Sequence, residues 1–449
     1  MNQETSMHSF KAGASQVDMT PQGSVSLYGY PLVPRMSTGI NDPLYASAIY
    51  LHDGKQPILM IGTDLIYMTR DMANPIRQRL SEMLDMPEHA IVISASHTHS
   101  GPPTMQLSWI NNDQAPMFNA DKIYCQQVVE AVIKAGSQAA ANAVPAQVGF
   151  STADGSKLGT NRRDPNGPSI PQMPLLIARD LNDQIIGIMV SCNMHPTVLH
   201  EDSTLISGDF PGLAREYLQS TILQGNKPLI YHMGASGNQS PRHVVKANTL
   251  EECHRLGHIL GKEIENSVAH AQWHDHLTLT STTTDMTLPV RQIDDMDTAK
   301  AKLQQVENKL ESQRQSGAPK TTIRTTECDW FGALERVLMV QANEDGLIEK
   351  LVQLNMPASV QIIAIGNQRY VCWPGEVFVE FALEVIQQFP QANIITCANG
   401  ELQGYLVTQQ AVDEDAYEAN NAIFQSPQGG DTLVQTTLNL LNSLQKKIS

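Results

Sequence analysis

The chain is poor in basic residues, in aromatic residues and in long apolar runs, and each shortage excludes a class of function. Its 30 Lys and Arg stand against 46 Asp and Glu, a formal net charge of −16. Phosphate backbones and anionic bilayers select for basic patches, so neither nucleic acid nor an anionic membrane surface is an expected partner. Aromatic residues make up 5% of the sequence, which counts against a base-stacking surface. Nothing approaches the roughly 18 consecutive apolar residues of a transmembrane helix. The start, Met1 to His8, lacks a basic segment followed by an apolar one, so it does not read as a secretory signal, and a cytoplasmic location is expected. The six cysteines (Cys125, Cys192, Cys253, Cys328, Cys372 and Cys397) are spread out with no Cys-x-x-Cys pair. Several sit in apolar runs, the pattern of buried free thiols in a reducing compartment, and no disulfide is assigned. No fixed-period repeat is visible, which sets aside solenoids and propellers.

What is present is an alternation of strand-like and helix-like segments. Apolar or alternating runs fall at residues 46–51, 57–62, 90–95, 146–150, 175–178, 185–192, 228–231, 276–287, 360–365, 370–373 and 393–396. Helical patterns lie between many of them, at 120–141, 213–223 and 250–271. Asn74-Pro75 reads as an N-cap with proline in the first turn, opening a helix to about Leu84. This order predicts an α/β architecture with a mixed central β-sheet flanked by helices. At 449 residues the length allows one large domain or two to three smaller ones. No linker divides it, so residues 1–449 are read as one domain. Residues 294–315 are polar, with Leu303, Val306 and Leu310 at helical spacing, and 316–326 read as the loop that follows. Together, at about 294–326, they are expected to form a helical surface insertion away from the chemistry. Residues 432–447 read as an amphipathic closing helix.

The chemistry concentrates where strands end. In Ile91-Val92-Ile93-Ser94-Ala95-Ser96-His97-Thr98-His99-Ser100-Gly101-Pro102-Pro103, a buried strand runs into two histidines and a breaker. Strand alternation would put His97 and His99 on one face, as half of a metal site or as two capping histidines in a tight turn. His195 ends a second apolar run and is followed by Pro196. Glu376, in Trp373-Pro374-Gly375-Glu376, opens a helical stretch; it is either a residue favoured there by the helix dipole or a carboxylate ligand. His, His and Glu from separate strand ends are an acceptable zinc set. Gly234-Ala235-Ser236-Gly237-Asn238-Gln239-Ser240-Pro241-Arg242 could expose Ser240 as a nucleophile, although these residues alone favour a plain loop. It lacks the Gly-x-Ser-x-Gly elbow and the lysine of a phosphate-binding loop. Arg162 lies in a polar loop that reads equally as an anion clamp or a solvated turn, and Tyr405 and Tyr417 lie in polar segments where tyrosines are more often surface groups.

Taken in order, these segments resemble the catalytic N-terminal domain of neutral/alkaline non-lysosomal ceramidases. The pieces are His97-Thr98-His99-Ser100-Gly101-Pro102, Asn161-Arg162, His195, Gly237-x-x-Ser240-Pro241, Pro374-Gly375-Glu376, Gly404-Tyr405-x-x-Thr408 and Tyr417-Glu418, spanning roughly residues 10–425. The resemblance implies Zn2+ held by His97, His195, Glu376 and Tyr405, with His99 beside the metal. It implies a catalytic role for Ser240, and amide positioning with oxyanion stabilisation by Arg162 and Tyr417. The activity implied is hydrolysis of an N-acyl amide, of a lipid such as ceramide or of a soluble small molecule.

This sequence departs from the family at several points. The family's Gly-Asp-Val-Ser-Pro-Asn turn is Gly237-Asn238-Gln239-Ser240-Pro241-Arg242 here, losing an aspartate and gaining a cation. Pro103 and Arg163 replace a usual glycine and serine, and no immunoglobulin-like C-terminal domain is expected. Arg242 beside Ser240 suggests an anionic group on the substrate. Two other readings stand. A barrel-type metal hydrolase carries His-x-His on its first strand, whereas His97 ends the third strand-like run here. A non-catalytic metal- or ligand-binding protein on the same fold is the alternative to an enzyme.

Overall fold

The computed structural model describes residues 10–30, 33–105, 120–225, 227–402 and 404–448. The Met1 to His8 segment, on which the secretion reading rests, lies outside them. The first sheet is built from β1 (Lys11–Asp18), β2 (Tyr45–His52), β3 (Pro57–Thr63), β4 (Ile91–Ala95), β5 (Val144–Asp154), β6 (Gln172–Asp180), β7 (Ile185–Cys192), β8 (Leu229–Met233) and β9 (Gln272–His274). Its order is β8-β7-β6-β5-β1-β2-β3-β4, with β9 added on β5. The β3–β4 and β7–β8 pairs are parallel and the other pairs antiparallel. β4 and β8 are buried along their whole length, as expected of apolar strands covered on both faces. The sheet folds back so that β8 lies against β3: a Cβ on Gly62 would come 2.5 Å from the Tyr231 carbonyl.

A second sheet runs in order through β10 (Leu279–Met286), β11 (Ala358–Ile365), β12 (Gln368–Cys372) and β13 (Ala392–Ile395), the last pair parallel. The segment leaving β13 joins the two sheets. Thr396 N–H donates to Met233 O at 2.7 Å, Ala95 N–H to Cys397 O at 3.1 Å, and Asn399 N–H to Ile93 O at 2.7 Å. The ends of β4, β8 and β12 are thereby held together, and the loops that leave them meet. Helices α1 (Arg70–Leu84) and α2 (Lys122–Ala141) serve the first sheet, α2 covering β1 and β2. α3 (Asp209–Thr221) and α4 (Leu250–Val268) enclose a separate apolar cluster with β6 and β7. Then follow α5 (Met296–Gln315), α6 (Lys320–Glu344), α7 (Leu347–Asn355), α8 (Val379–Gln388), the short α9 (Gln409–Asp413) and α10 (Tyr417–Asn421), and the closing α11 (Gln428–Ile448). The architecture is mixed α/β with helices flanking a mixed sheet, as the sequence pattern predicts.

Three local expectations fail for physical reasons. β1 was not expected, because Lys-Ala-Gly-Ala-Ser-Gln-Val-Asp contains one β-branched residue; pairing with β2 along its full length makes it a strand. α1 begins at Arg70 after Thr69, one turn before Asn74-Pro75, so Pro75 lies inside the helix. Burial of Met72 and Ala73 in the added turn offsets the missing N–H bond. Residues from Lys320 onward are not a loop but the start of α6, which runs to Glu344. Its buried side is mostly small or polar (Thr326, Gly332, Ala333, Glu335), so the sequence carries no apolar stripe to announce it.

One buried ion pair supports the loop on which the site rests. Asp64, just past β3, accepts from Arg215 of α3 at 2.7 Å and from the Tyr45 N–H at 2.9 Å. The carbonyls of the next two residues, Leu65 and Ile66, hold His97. Arg215→Met leaves the Asp64 carboxylate buried with one donor. A loss of about 3–5 kcal/mol in denaturant-induced unfolding is expected; a loss under about 1 kcal/mol would show that the pair is not needed.

Candidate active site

The three histidines and Glu376 meet at the junction of the two sheets. β4 ends at Ala95, and His97 adopts a left-handed φ of 67°, uncommon for a residue with a side chain. Strand alternation therefore does not aim His97 and His99; the turn does, bringing their ring centroids to 4.9 Å. His195, three residues past β7, brings its ring to 4.8 Å from His97. Nδ1 of His97 lies 2.9 Å from the Ile66 carbonyl, and Nδ1 of His195 lies 2.6 Å from the Ser236 carbonyl. A carbonyl oxygen only accepts, so in each ring Nδ1 carries the proton and a neutral imidazole presents a lone pair at Nε2. Both Nε2 atoms face the same oxygen, Glu376 Oε2, at 3.2 and 3.0 Å. The other oxygen, Oε1, accepts from the Tyr67 hydroxyl at 2.7 Å.

Glu376 is positioned by backbone pairing. Glu376–Val377 forms a short parallel ladder with Tyr405–Leu406, placing Tyr405 directly beside Glu376. Burial works to raise the Glu376 carboxyl; it is held well below the usual carboxylate range only by positive charge at the facing nitrogens of His97 and His195, a proton or a bound cation. Burial, with Arg162 nearby, pushes His195 down to about 4. Two imidazole lone pairs and a carboxylate thus converge in a dry space, an arrangement that calls for a cation. His99 adds to it. Its imidazole is driven well below its ordinary value, first by burial and then by the neighbouring histidines, and both ring nitrogens lack a partner among the described residues. The ligand atoms of His97, His99 and His195 lie within 4.8 Å of one another. The donor set fits a divalent metal of the zinc type.

Around this cluster stand the remaining sequence candidates. Arg162 is buried; Nε donates to Glu418 Oε1 at 3.0 Å and Nη2 to the Gly237 carbonyl at 2.5 Å. Its guanidinium lies 5.1 Å from the Tyr417 ring centroid and 5.6 Å from that of Tyr405. The two tyrosine hydroxyls are 3.4 Å apart. Burial raises both phenols, so each stays a neutral donor. Ser240 pairs with Thr160 in a short antiparallel ladder, and its Oγ accepts from the Arg242 N–H at 3.3 Å. No imidazole is hydrogen-bonded to that hydroxyl among the described residues. His97, His99, Arg162, Ser240, Glu376, Tyr405 and Tyr417 line one cavity, with His195 against Glu376.

Other residues of the site went unread in the sequence. Tyr67 lies in an apolar run that gives no signal. Glu418 is identified only by its neighbour Tyr417. Gly29, at φ 122°, lets the His99 ring sit where a Cβ would come within 2.4 Å of it. Arg35 donates to the His99 carbonyl at 2.6 Å. From α6 come Arg324, Cys328, Phe331 and Glu335, all lining the cavity, so this helix is part of the site and not a distant insertion. Burial pushes the Glu335 carboxyl up to about 7.

Residues 10–166 match the family model described as neutral/alkaline non-lysosomal ceramidase, N-terminal. Over that stretch the chain is similar to those ceramidases. Over 234 residues, 47% of this chain and 34% of the relative, it is 23% identical to the neutral ceramidase of Pseudomonas aeruginosa. Over 229 residues, 47% of this chain and 36% of the relative, it is 22% identical to that of Mycobacterium tuberculosis. The sequence matches thus span about a third of these curated relatives. Among solved structures, the crystal structure of the Pseudomonas aeruginosa neutral ceramidase superposes with a TM-score of 0.75 at 16% identity, covering 98% of this chain and 75% of that one. A ceramidase complexed with C2 gives 0.74 at 14% identity, covering 98% of this chain and 76% of that one. The ceramidase-like chain therefore shares their fold.

If the converging donors hold a metal, purified protein carries close to one equivalent by elemental analysis. His195→Ala and Glu376→Gln are expected to lose it while keeping the wild-type circular dichroism spectrum. Retention of metal in both folded variants would show that the cluster is not the site.

Proposed function

We propose that this ceramidase-like chain is a zinc-dependent amidohydrolase that cleaves an N-acyl amide. The observation that carries the reading is the convergence of two Nε2 lone pairs on Glu376 Oε2, beside an unpartnered His99 and beneath two neutral phenols. In this reading His97, His195, Glu376 and Tyr405 hold the ion. A metal in that place polarises an amide carbonyl or lowers the pKa of bound water towards about 7. Arg162 and Tyr417 donate to the oxygen on which charge develops; Arg162 is pre-aimed by Glu418 and the Gly237 carbonyl. His99, neutral and unpartnered, takes the proton of the attacking oxygen and returns it to the departing nitrogen. The attacking oxygen is either water, with Ser240 donating to the substrate, or Ser240 Oγ itself, activated by His99.

The substrate belongs to the N-acyl amides, whether a ceramide-type lipid of sphingolipid metabolism or a soluble amide. The six unpaired cysteines support a reducing, cytoplasmic setting. No helix among the described residues is long and apolar enough to cross a membrane. The non-catalytic reading is favoured by one feature, the missing base on the Ser240 hydroxyl. Turnover separates the two. Metal-loaded protein is expected to hydrolyse a short-chain ceramide or an N-acylethanolamine, and Tyr417→Phe to lower kcat by about 10²-fold with KM little changed. An unchanged kcat would remove Tyr417 from oxyanion stabilisation. No turnover of any N-acyl amide would leave the binding-protein reading.

A further inference from the structure

Three arginines line the cavity, and they differ in how their charge is balanced. Arg162 pairs with Glu418. Arg324 holds Glu201 with both terminal nitrogens, at 2.6 and 2.9 Å. Arg242 has no carboxylate partner among the described residues. Its Nη1 donates to the Arg162 carbonyl and to Thr325 Oγ1, both at 3.3 Å, and its Nη2 to Cys328 Sγ at 3.2 Å. The two oxygen contacts, to a carbonyl and a hydroxyl, are long, and no carboxylate takes part. The Nε–H and one Nη2 N–H are left over from the five donors of a guanidinium, with no acceptor among the described residues. Asp329 of α6 feels this cation, but its carboxylate sits 3.8 Å from Lys309.

A part-buried guanidinium without a counter-charge is costly to keep, and such groups concentrate at sites that use them. This one stands in a chain with 46 acidic residues from which a partner could have been drawn. Its place is fixed relative to Ser240. The Arg242 backbone N–H bonds to Ser240 Oγ, and the side chain leaves the same tight turn, Pro241–His243. We propose that Arg242 selects amide substrates carrying an anionic group, the carboxylate, sulfonate or phosphate reaching past Ser240 to the two unused N–H donors. Two donors on one planar cation suit an anion with two coplanar oxygens. This proposal rests on the amidohydrolase reading for the word substrate, and its test is read in binding so that the two can fail separately.

The probes are N-octanoylglycine and N-octanoylethanolamine, which share an acyl chain and an amide and differ in carrying a carboxylate or a hydroxymethyl group. Their dissociation constants are measured by calorimetry, and kcat/KM wherever turnover occurs. Wild type is expected to prefer the acid by roughly 10- to 100-fold, the range of a charge-assisted hydrogen-bonded pair. In Arg242→Gln the preference should fall to near one, and Arg242→Lys, which keeps the charge without the planar fork, should fall between. A preference near one in wild type, or one that survives in Arg242→Gln, overturns the proposal. If the acid is preferred through Arg242 but neither amide is cleaved, the selectivity stands and the amidohydrolase reading falls. Inorganic phosphate that displaces the acid from wild type but not the ethanolamide would place the contact on the anion alone.

Discussion

The constraint on which the rest depends is the meeting of two buried imidazole Nε2 atoms at one buried carboxylate oxygen. That meeting needs a positive charge, because rings whose Nδ1–H groups are committed to backbone carbonyls have only a second proton or a bound cation at Nε2 to set against the carboxylate. The fold is arranged to impose it all the same. His97 hangs from the carbonyls of Leu65 and Ile66, His195 from those of Ser236 and Gln239, and Glu376 from its ladder with Tyr405. These loops leave five different strands, β3, β4, β7, β8 and β12, and the backbone bonds of residues 396–399 hold the ends of β4, β8 and β12 together. A cation at the cluster relieves the crowding of electron pairs, so ligand binding and folding stability are coupled there.

Charge is then layered outward from that point. Glu376 accepts from the Tyr67 hydroxyl, Tyr405 and Tyr417 stay neutral, and Arg162 behind them is balanced by Glu418. Arg163 carries the chain on, from Glu418 to the half-exposed Glu414. From Arg162 through Glu418 and Arg163 to Glu414 the charges alternate in sign until they reach solvent, where screening takes over. A buried arginine so held keeps its donors aimed at fixed points, and preorganised donors of this kind stabilise developing charge at little reorganisation cost.

How much of this was legible follows from what each residue does to its local sequence. His97, His195 and Glu376 each follow an apolar strand by a few residues, in a break that contains a proline or glycine, so the break in pattern marks them. His97 and His99 were paired for the wrong reason: period-2 alternation has already ended at Ala95, and a left-handed turn does the aiming. Tyr405, Tyr417 and Arg162 have no such mark, since a polar segment with a tyrosine or an arginine reads the same on a surface as in a site. Only the order of motifs, through the family resemblance, singled them out. Tyr67 and Arg35 were unreadable, because their roles depend on which loops the fold brings together.

α6 is the opposite case, and it explains why chemistry and selectivity can separate in this protein. The histidines, Glu376, Arg162 and Ser240 are carried by segments at the ends of buried strands, where a change of one side chain disturbs the packing of both sheets. The outer wall of the same cavity, with Arg324, Cys328 and Phe331, comes from a helix whose buried face is small and polar. α6 and its neighbour α5 bury Val306, Leu310, Met339 and Val340 and are also tied by ion pairs, Arg324 to Glu201, Arg336 to Asp294, and Lys302 to Asp415. The histidines hang from backbone carbonyls of other elements, so this wall can change its cavity-facing residues without unseating them. Arg242 leans on that wall through Thr325 and Cys328 while its backbone holds Ser240. It is the point where the fixed half of the site meets the adjustable half, and a charge placed there reads the substrate without entering the reaction.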